Sequence, residues 1–439
     1  MSRGRNRSCS RREFLKRAAA LTGGLVAASY VITSTALGGE GRPPAGNRIT
    51  MGLIGVGGRG GALLQNFMAL TDAQLLAVCD VKRPNREAAQ QAINGHYANR
   101  DCAAFVDFRD LLARPDIDAI AIATPDHWHV PHALAAVRAG KDVYCEKPLT
   151  VSIGWAKALR AAVHRYARVF QIGTQERSSW NTRFACEMVR NQWVGPIRKV
   201  TVASRFSVAS PNYPPMPVPD GLDYDLWLGP APWAPYTEMR VRNDCWFHTN
   251  DYTLGFISGC GIHTIDMANW GLGTDRTGPV EVEGTGEFPR DGLCNCATGW
   301  DVNLKFANGV AMNFTDGNRH PLGVKFEGTD GWIFVLETHL GGGVDAFPKT
   351  LLKRPVGANE IRLAVSNHHQ ANFLEAVKSR AEPIAPIDVA VRSDTLCELS
   401  DIAMRLGRKV RWDPDKEEIV GDVEASRMLM RPMRPPWRL

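Results

Sequence analysis

The sequence ITMGLIGVGGRG, residues 49–60, decides the fold of this 439-residue chain. It begins with a short apolar run, as in a buried parallel strand, and it ends with three glycines in the pattern G-x-G-x-x-G. Apolar residues then continue with helical spacing from Ala62 to Leu70. A strand, a glycine-rich turn and a helix in this order are typical of a dinucleotide-binding βαβ unit.

Each residue of the turn has a predicted role in holding a dinucleotide. Gly55 allows the tight turn, Gly57 lets the backbone approach a pyrophosphate, and Gly60 permits close packing of the helix on the strand. Gly58 and Arg59 lie within the same turn. The N-terminus of the helix, with its free backbone N–H groups, would face the phosphates.

An acidic residue follows at the distance that this motif requires. Asp80 ends a second apolar run, residues 75–79, about 20 residues after the glycines, where an acid binds the adenosine ribose. Its charge would repel a 2′-phosphate, so the sequence favours NAD as the cofactor. Lys82 and Arg83 keep NADP open, because a nearby cation can accommodate that phosphate.

The strand and helix signals divide the chain into two predicted domains. Strand runs alternate with helices up to about residue 172, which predicts a doubly wound parallel sheet in a nucleotide-binding domain over 47–172. Residues 173–439 contain a proline-rich loop, alternating runs between Val280 and Glu337, and C-terminal helices. This second part predicts an α+β domain with a large, mainly antiparallel sheet.

The N-terminus resembles an export signal. Residues 10–16, SRREFLK, place two arginines before an uncharged run at 18–39, as in the twin-arginine pathway. The small residues at 34–36 predict cleavage there, which makes 1–36 a signal peptide and 37–46 a linker. The protein would then be periplasmic or otherwise exported. An uncleaved N-terminal anchor is the alternative.

The charge of the chain is explained by this leader. The formal net charge is +6, and residues 1–36 carry seven basic residues and one acidic residue, so the rest of the chain is balanced. We therefore expect no nucleic-acid partner and, after cleavage, no stable membrane span. The scattered cysteines predict neither a disulfide framework nor a metal site.

Two further groups of residues carry predicted chemistry. Lys147 follows a short strand in the sequence Glu146-Lys147-Pro148, where an ammonium group beside a nicotinamide can assist loss of a hydroxyl proton. His263 and Asp266 lie three residues apart, so on a helix the acid could set the imidazole tautomer. The alternatives are a surface lysine, a structural histidine, or a metal pair that lacks a third ligand.

Together these motifs resemble the Gfo/Idh/MocA oxidoreductase family over residues 47–439. The resemblance rests on the glycine turn, the sequence TPDHWH at 124–129, Glu146-Lys147-Pro148 and His263-x-x-Asp266. Residues 227–232 and 403–408 are similar to an exported bacterial branch. The family implies NAD(P)-linked oxidation or reduction of a sugar or cyclitol hydroxyl. Because the exposed face of a large antiparallel sheet often needs covering, we also expect, by analogy, a homodimer or homotetramer.

The resemblance also implies roles for individual residues. Lys147 would be the central catalytic residue, often before a cis peptide bond to Pro148, and His263 its partner in proton transfer at the substrate. The expected cofactor-lining residues are Thr124, Pro125, His129, Glu146 and Gln175. The expected substrate residues are Arg177, Trp180 and Tyr252. The family commonly has an aspartate four residues before the histidine, whereas this chain has Gly259.

Three functions follow from these observations. The first is an exported oxidoreductase with tightly bound NAD(P) that acts on a sugar, sugar derivative or cyclitol. The second is a redox-neutral glycoside hydrolase or lyase that recycles its NAD, which export favours because free nicotinamide nucleotides are not expected outside the cytoplasm. The third, favoured by Gly259, is a sugar- or nucleotide-binding protein without turnover.

Overall fold

A computed structural model describes residues 43–439 of the chain. The predicted signal peptide and most of the predicted linker lie outside the described residues. Residues 48–439 form one compact unit built around two sheets. Among the described residues, no helix is both long enough and apolar enough to cross a membrane.

The first sheet contains six parallel strands. They are β1 (Ile49–Ile54), β2 (Ala73–Cys79), β3 (Ala103–Phe105), β4 (Ala119–Ile122), β5 (Asp142–Cys145) and β6 (Phe170–Ile172). Their order is β3-β2-β1-β4-β5-β6, so the strand order reverses between β1 and β4. This topology confirms the predicted doubly wound Rossmann sheet, in which ligands bind outside the reversal point.

Helices cover both faces of this sheet. They are α1 (Gly58–Met68), α2 (Arg83–Tyr97), α3 (Phe108–Leu112), α4 (His129–Arg138) and α5 (Ile153–Arg165). Neighbouring residues of β1 enter opposite cores, since Leu53 packs with α1 and Ile54 packs with α4 and α5. Burial on both faces explains why these strands read as continuous apolar runs.

The second sheet contains nine strands. They are β7 (Ile197–Ser204), β8 (Glu281–Glu287), β9 (Gly299–Lys305), β10 (Ala311–Asp316), β11 (Gly323–Gly328), β12 (Trp332–Leu336), β13 (Gly343–Phe347), β14 (Val410–Asp413) and β15 (Glu418–Ile419). The order is β13-β12-β11-β7-β10-β9-β8-β14-β15. All pairs are antiparallel except β7 with β10, which confirms the prediction of a mainly antiparallel sheet.

The remaining helices lie in the second part of the chain. They are α6 (Trp180–Arg190), α7 (Tyr224–Leu228), α8 (Asn243–Trp246), α9 (Phe256–Gly259), α10 (Gly261–Leu272), α11 (His369–Ser379), α12 (Ile387–Leu406) and α13 (Val423–Arg427). Helices α6, α10 and α12 contribute to the core of the second sheet. Helix α11 returns to the first sheet, where Phe373 packs 6.4 Å from Phe67 between ring centroids.

Candidate active site

The glycine turn between β1 and α1 has the conformation that its sequence predicts. Gly55 has a φ of 81°, which L side chains rarely adopt. A Cβ atom at Gly60 would lie 1.9 Å from the carbonyl oxygen of Gly55, so only glycine lets the helix begin this close to the strand. At Gly57 the nearest atom to such a Cβ is Nδ2 of Asn85 at 3.5 Å, which leaves the backbone approachable.

A cavity of about 260 Å³ lies beside this turn, at the carboxyl ends of the strands of the first sheet. Predicted cofactor residues that line it are Gly55, Gly57, Gly58, Arg59, Asp80, Thr124, Pro125, His129, Glu146 and Lys147. Gly60 does not line the cavity, because it packs against the carbonyl oxygen of Gly55. A glycine cradle beside a helix N-terminus, with an acid at the end of β2, fits an NAD molecule.

The environment of Asp80 favours NAD over NADP. Its Oδ2 accepts a hydrogen bond from the N–H of Val56 at 2.9 Å, and its Oδ1 accepts one from the N–H of Lys82 at 2.8 Å. Burial raises the pKa of Asp80, although these two hydrogen bonds oppose the rise. The Lys82 ammonium donates to the carbonyl of Val241 at 2.9 Å, so it is already engaged rather than placed to bind a 2′-phosphate.

Glu146 holds the wall of the cavity next to the glycine turn. Its Oε1 lies 2.7 Å from the Arg59 guanidinium and accepts a hydrogen bond from Gln175 at 3.1 Å. Gln175 itself does not line the cavity, in contrast to the prediction, and acts on it through Glu146. Gly173 leaves the space for this carboxyl group, because a Cβ there would lie 3.0 Å from its atoms.

Lys147 lies at the end of β5, and its peptide bond to Pro148 is cis, as the family resemblance implies. The Lys147 ammonium donates to the carbonyl oxygen of Gly259. The position that lacks the family's aspartate therefore contacts the lysine through its backbone. His129 supports this region, with Nδ1 2.6 Å from the Pro148 carbonyl oxygen and Nε2 2.9 Å from that of Thr124.

His263 lies in the first turn of α10, close enough to Lys147 for their charges to interact. Burial lowers the pKa of His263 well below its usual value, and the Lys147 ammonium adds to that lowering. Its Nδ1 is enclosed and has no hydrogen-bond partner within residues 43–439. The ring is therefore neutral and can accept a proton.

The predicted pairing of Asp266 with His263 is wrong. Both carboxylate oxygens of Asp266 accept hydrogen bonds from Arg177, at 2.7 and 2.9 Å, and Ser393 donates to one of them at 2.8 Å. Two residues three apart on a helix lie on roughly the same face, but their side chains need not contact each other. Here the buried Arg177 guanidinium binds the Asp266 carboxylate instead. These bonds also remove Asp266 as a catalytic residue and as a metal ligand beside His263.

The three predicted substrate residues do not line this cofactor cavity, and neither does His263, so their role at the substrate stays a prediction. Arg177 is 3% exposed and is held by Asp266. Trp180 is 60% exposed at the start of α6 and stacks on Phe184. Tyr252 is fully buried, with its ring against Trp227. Their proximity to family motifs in the sequence carries no information about which way these side chains point.

A segment of the second part of the chain, residues 221–247, closes the cavity from the other side, and we call it the cover segment. Its lining residues are Leu226, Trp227, Val241, Asn243, Trp246 and Phe247. Besides the Lys82 bond, the Arg83 N–H donates to Gly221 at 2.7 Å and the Asp223 N–H donates to Val81 at 3.1 Å. Sequence reasoning missed this role because the segment begins at residue 221, far along the chain from the glycine turn at 55–60, and the resemblance at residues 227–232 indicated only a branch of the family.

A second missed group lies in the turn after β12, residues 337–339. Glu337 is buried, and its Oε2 lies 3.1 Å from Nδ1 of His339. The rings of His339 and His263 have centroids 6.3 Å apart. No spacing rule in the sequence joins residues 263 and 339, so only the fold reveals the second imidazole and the carboxyl group at this site.

Comparison with known proteins agrees with this architecture. Residues 49–174 match the oxidoreductase-family NAD-binding Rossmann fold, and residues 200–439 match the oxidoreductase-family C-terminal α/β domain, both of Gfo/Idh/MocA. Solved structures of similar fold include the aldose–aldose oxidoreductase of Caulobacter crescentus complexed with glycerol. It has a TM-score of 0.63 and 19% identity, over 83% of this chain and 99% of that chain.

Further relatives include a dehydrogenase and two glycosidase-related proteins. The WlbA dehydrogenase of Bordetella pertussis, solved with NADH and UDP-GlcNAcA, has a TM-score of 0.60 and 17% identity, over 83% of this chain and 99% of that chain. A glycosyl hydrolase family 109 protein of Shewanella baltica strain OS185 and an alpha-N-acetylgalactosaminidase of Shewanella oneidensis are each 32% identical over 161 residues. Those matches span 33% of this chain and only 34% of each relative.

The two family profiles together cover most of the chain and coincide with the two sheets. The first covers the glycine turn, Asp80 and Lys147, and the second covers His263 and the cover segment. The protein therefore belongs to the Gfo/Idh/MocA family of oxidoreductases, with an NAD-binding Rossmann domain at residues 49–174.

Proposed function

We propose that this protein is an exported oxidoreductase that acts on a hydroxyl of a sugar, sugar derivative or cyclitol and retains its NAD between turnovers. The observation that carries the proposal is the placement of Lys147 on a cofactor cavity that the cover segment closes. Sugar-related names among the structural neighbours support the substrate class. The substrate itself is left to experiment.

The residues around Lys147 can manage a hydroxyl proton. When bound, NAD supplies an acceptor or donor of hydride. The Lys147 ammonium is oriented by the Gly259 carbonyl, which leaves its other N–H groups for a substrate oxygen. His263, neutral because of burial, can receive a proton from that oxygen. Asp126 adds a buried carboxyl on the same cavity, and its Oδ2 accepts a hydrogen bond from Thr253 at 2.7 Å.

The cover segment supports the proposed retention of NAD. Release through this side requires breaking the hydrogen bonds from Lys82, Arg83 and Asp223 that join the segment to the region after β2. Asn243 lies over the glycine turn, since a Cβ at Gly58 would be 3.5 Å from its Nδ2. A protein exported by the twin-arginine route, as residues 10–16 predict, would carry a nucleotide held in this way out of the cytoplasm.

A redox-neutral glycoside hydrolase or lyase is the second candidate. The local similarity to family 109 glycosyl hydrolases favours it, and so does the closed cavity, because such a reaction needs no exchange of nucleotide. In this alternative a sugar hydroxyl would be oxidised to a ketone, which acidifies the adjacent C–H, and loss of that proton would expel the glycosidic oxygen and leave a double bond. In the hydrolase, water would then add to the double bond, and return of the hydride would restore the hydroxyl with no net change of oxidation state.

The two candidates differ in their products. The purified, exported protein is scanned for bound nucleotide and then incubated without added NAD with glucose, myo-inositol and p-nitrophenyl α-N-acetylgalactosaminide. We expect bound NAD and its reduction by a free sugar or cyclitol. Release of p-nitrophenol without net NADH would favour the hydrolase. Sugar binding with neither reaction would contradict both and support a binding protein.

The variant Lys147→Met tests the role of the lysine. Because the methionine keeps most of the side-chain volume and loses the ammonium, we expect turnover to fall by about 100-fold or more while bound NAD is retained. Lys409→Met, at an exposed lysine paired with Glu281, is the matched control and should leave turnover unchanged. Full turnover by the Lys147 variant would contradict the proposal.

A further inference from the structure

Hydrogen bonds fix the turn at residues 337–339 in position beside the site. Glu176, which follows β6, accepts two hydrogen bonds from Thr338, from the N–H at 2.9 Å and from the hydroxyl at 2.8 Å. Glu337 and His339 flank this fixed residue. The turn therefore presents a carboxyl group and an imidazole in a defined position near Lys147 and His263.

Glu337 is placed to hold a proton at neutral pH. Its side chain is 2% exposed, and its contact with His339 is not aligned as a hydrogen bond, so Oε2 has no hydrogen-bond donor. Burial, together with the nearby Glu176, raises the pKa of Glu337 to about 8, although Lys147 and Arg205 oppose the rise. A buried carboxyl without a donor favours its neutral form.

His339 connects this carboxyl group to water. Its side chain is 44% exposed, whereas Glu337 is enclosed. Burial and the cations of Arg205 and Lys147 lower the pKa of His339, so the ring is neutral at pH 7. The other titratable groups around Glu337 are Cys260, whose pKa it raises, and His263 beyond the His339 ring.

We propose that Glu337 and His339 form a proton-exchanging pair that takes the place of the acid absent at Gly259. The pair holds one proton, which resides on Glu337 at neutral pH; a rotation that aligns this carboxyl with Nδ1 of His339 would pass the proton to the exposed ring and on to water. Glu337 acts through His339 and is thus a positioning residue. The inference rests on the proposed function, because the pair serves the proton transfer at Lys147 and His263.

The first test needs no substrate and uses the purified protein with its retained nucleotide. Difference infrared spectra of the wild type and Glu337→Gln should show a protonated-carboxyl band near pH 7 that disappears as the pH rises past about 8.

In histidine-labelled NMR, the His339 signal, assigned with His339→Asn, should show a second inflection near pH 8 that Glu337→Gln lacks. Glu283→Gln, at an exposed acid of the same sheet, should change neither spectrum. An unchanged band or an unchanged His339 titration in the Glu337 variant would overturn the inference.

The second test uses whichever free sugar or cyclitol of the panel reduces the retained NAD. Glu337→Gln should lower kcat by about tenfold or more, leave KM nearly unchanged, and remove an inflection near pH 8 from the pH profile. Adding Gly259→Asp should restore part of kcat, since the nearest atom to a Cβ at Gly259 is 3.7 Å away. A pH profile identical to that of the wild type would overturn the inference. If no probe reacts with the wild type, the proposed function fails, and the spectroscopic test still decides the role of Glu337.

Discussion

Single residues at this site differ most in whether their polar groups have partners. Arg177 and Asp266 form two hydrogen bonds with each other, with further bonds to Asp275 and Ser393, and both side chains are nearly inaccessible to solvent. By contrast, Nδ1 of His263 and Oε2 of Glu337 have no aligned hydrogen bond within the described part of the chain. Unsatisfied titratable groups beside a cavity are typical of active sites, whereas the satisfied ion pair is typical of a structural core.

The ion pair leads to a prediction about stability. Asp266→Asn leaves the buried Arg177 charge with reduced compensation, so we expect the free energy of unfolding to fall by about 3–5 kcal/mol. Asp275→Asn, which removes a longer contact of 3.2 Å from a more exposed acid, should cost less. Urea unfolding curves of the two variants measure the difference. Normal stability with lost turnover in Asp266→Asn would instead restore the catalytic role predicted from the sequence.

The raised pKa of Glu337 predicts how stability depends on pH. Between its ordinary value of 4.5 and about 8, the folded protein holds a proton that the unfolded chain releases, so this group destabilises the fold progressively as the pH rises through that range. Glu337→Gln is neutral throughout and lacks this effect. Urea midpoints should therefore move in favour of the variant between about pH 5 and 9. A stability difference that is independent of pH would contradict the raised pKa.

At the scale of elements, the cofactor cavity depends on how closely α1 begins to β1. The glycine turn sets that distance, because the carbonyl oxygen of Gly55 occupies the space that any side chain at residue 60 would need. The cover segment then closes the opposite side through backbone hydrogen bonds. Two elements that are distant in the sequence thus form one enclosed site.

Adjacent glycines of α1 allow a matched test of the turn. In Gly60→Ala the new methyl group would meet the Gly55 carbonyl at 1.9 Å, so the helix must shift, and we expect retained NAD to fall by about tenfold or more. Gly61→Ala has nothing within 4 Å and should retain NAD, with a helix stabilised by about 0.5–1 kcal/mol. Absorbance of the purified variants reports bound nucleotide. Equal retention by both would show that the close approach is not required.

At the scale of the whole molecule, the two sheets are tied together by the C-terminal helices. Helix α11 lies far along the chain, yet Phe373 and Leu374 belong to the core of the first sheet, while α12 contributes to the core of the second. The predicted boundary at residue 172 falls at the end of β6.

The predicted homodimer or homotetramer is a proposal that native mass spectrometry of the exported protein can test.

The proposed export also concerns the whole molecule, because the twin-arginine route carries folded proteins. Replacing Arg11 and Arg12 with lysines keeps the charge of the leader and removes the arginine pair, so we expect the protein to stay in the cytoplasm with its NAD bound. Fractionation of cells, followed by mass measurement of the N-terminus, checks location and cleavage. Arg3→Lys and Arg5→Lys, outside the motif, should leave export unchanged. Continued export of the Arg11 and Arg12 variant would contradict the predicted pathway.

Motifs of neighbouring residues were sufficient to predict much of the fold and part of the candidate site. The glycine turn, Asp80 and the sequence around Lys147 predicted the parallel sheet, the cofactor and the lysine on the cavity, because each depends on residues that are neighbours in one βαβ unit or at one sheet edge. The alternation after residue 280 likewise predicted the second sheet, since side chains of a strand alternate between its faces.

Tertiary structure alone decided which side chains meet. Asp266 pairs with Arg177 instead of His263, and Trp180 and Tyr252 do not line the cofactor cavity. The cover segment and the turn at 337–339 reached the site from distant parts of the chain. The sequence by itself determined the fold, the family and the cofactor, because those depend on local backbone geometry and periodic burial. The partners of His263 and the closure of the cavity depend on long-range packing. Which of several possible partners a buried charged group contacts is decided only when the chain has folded.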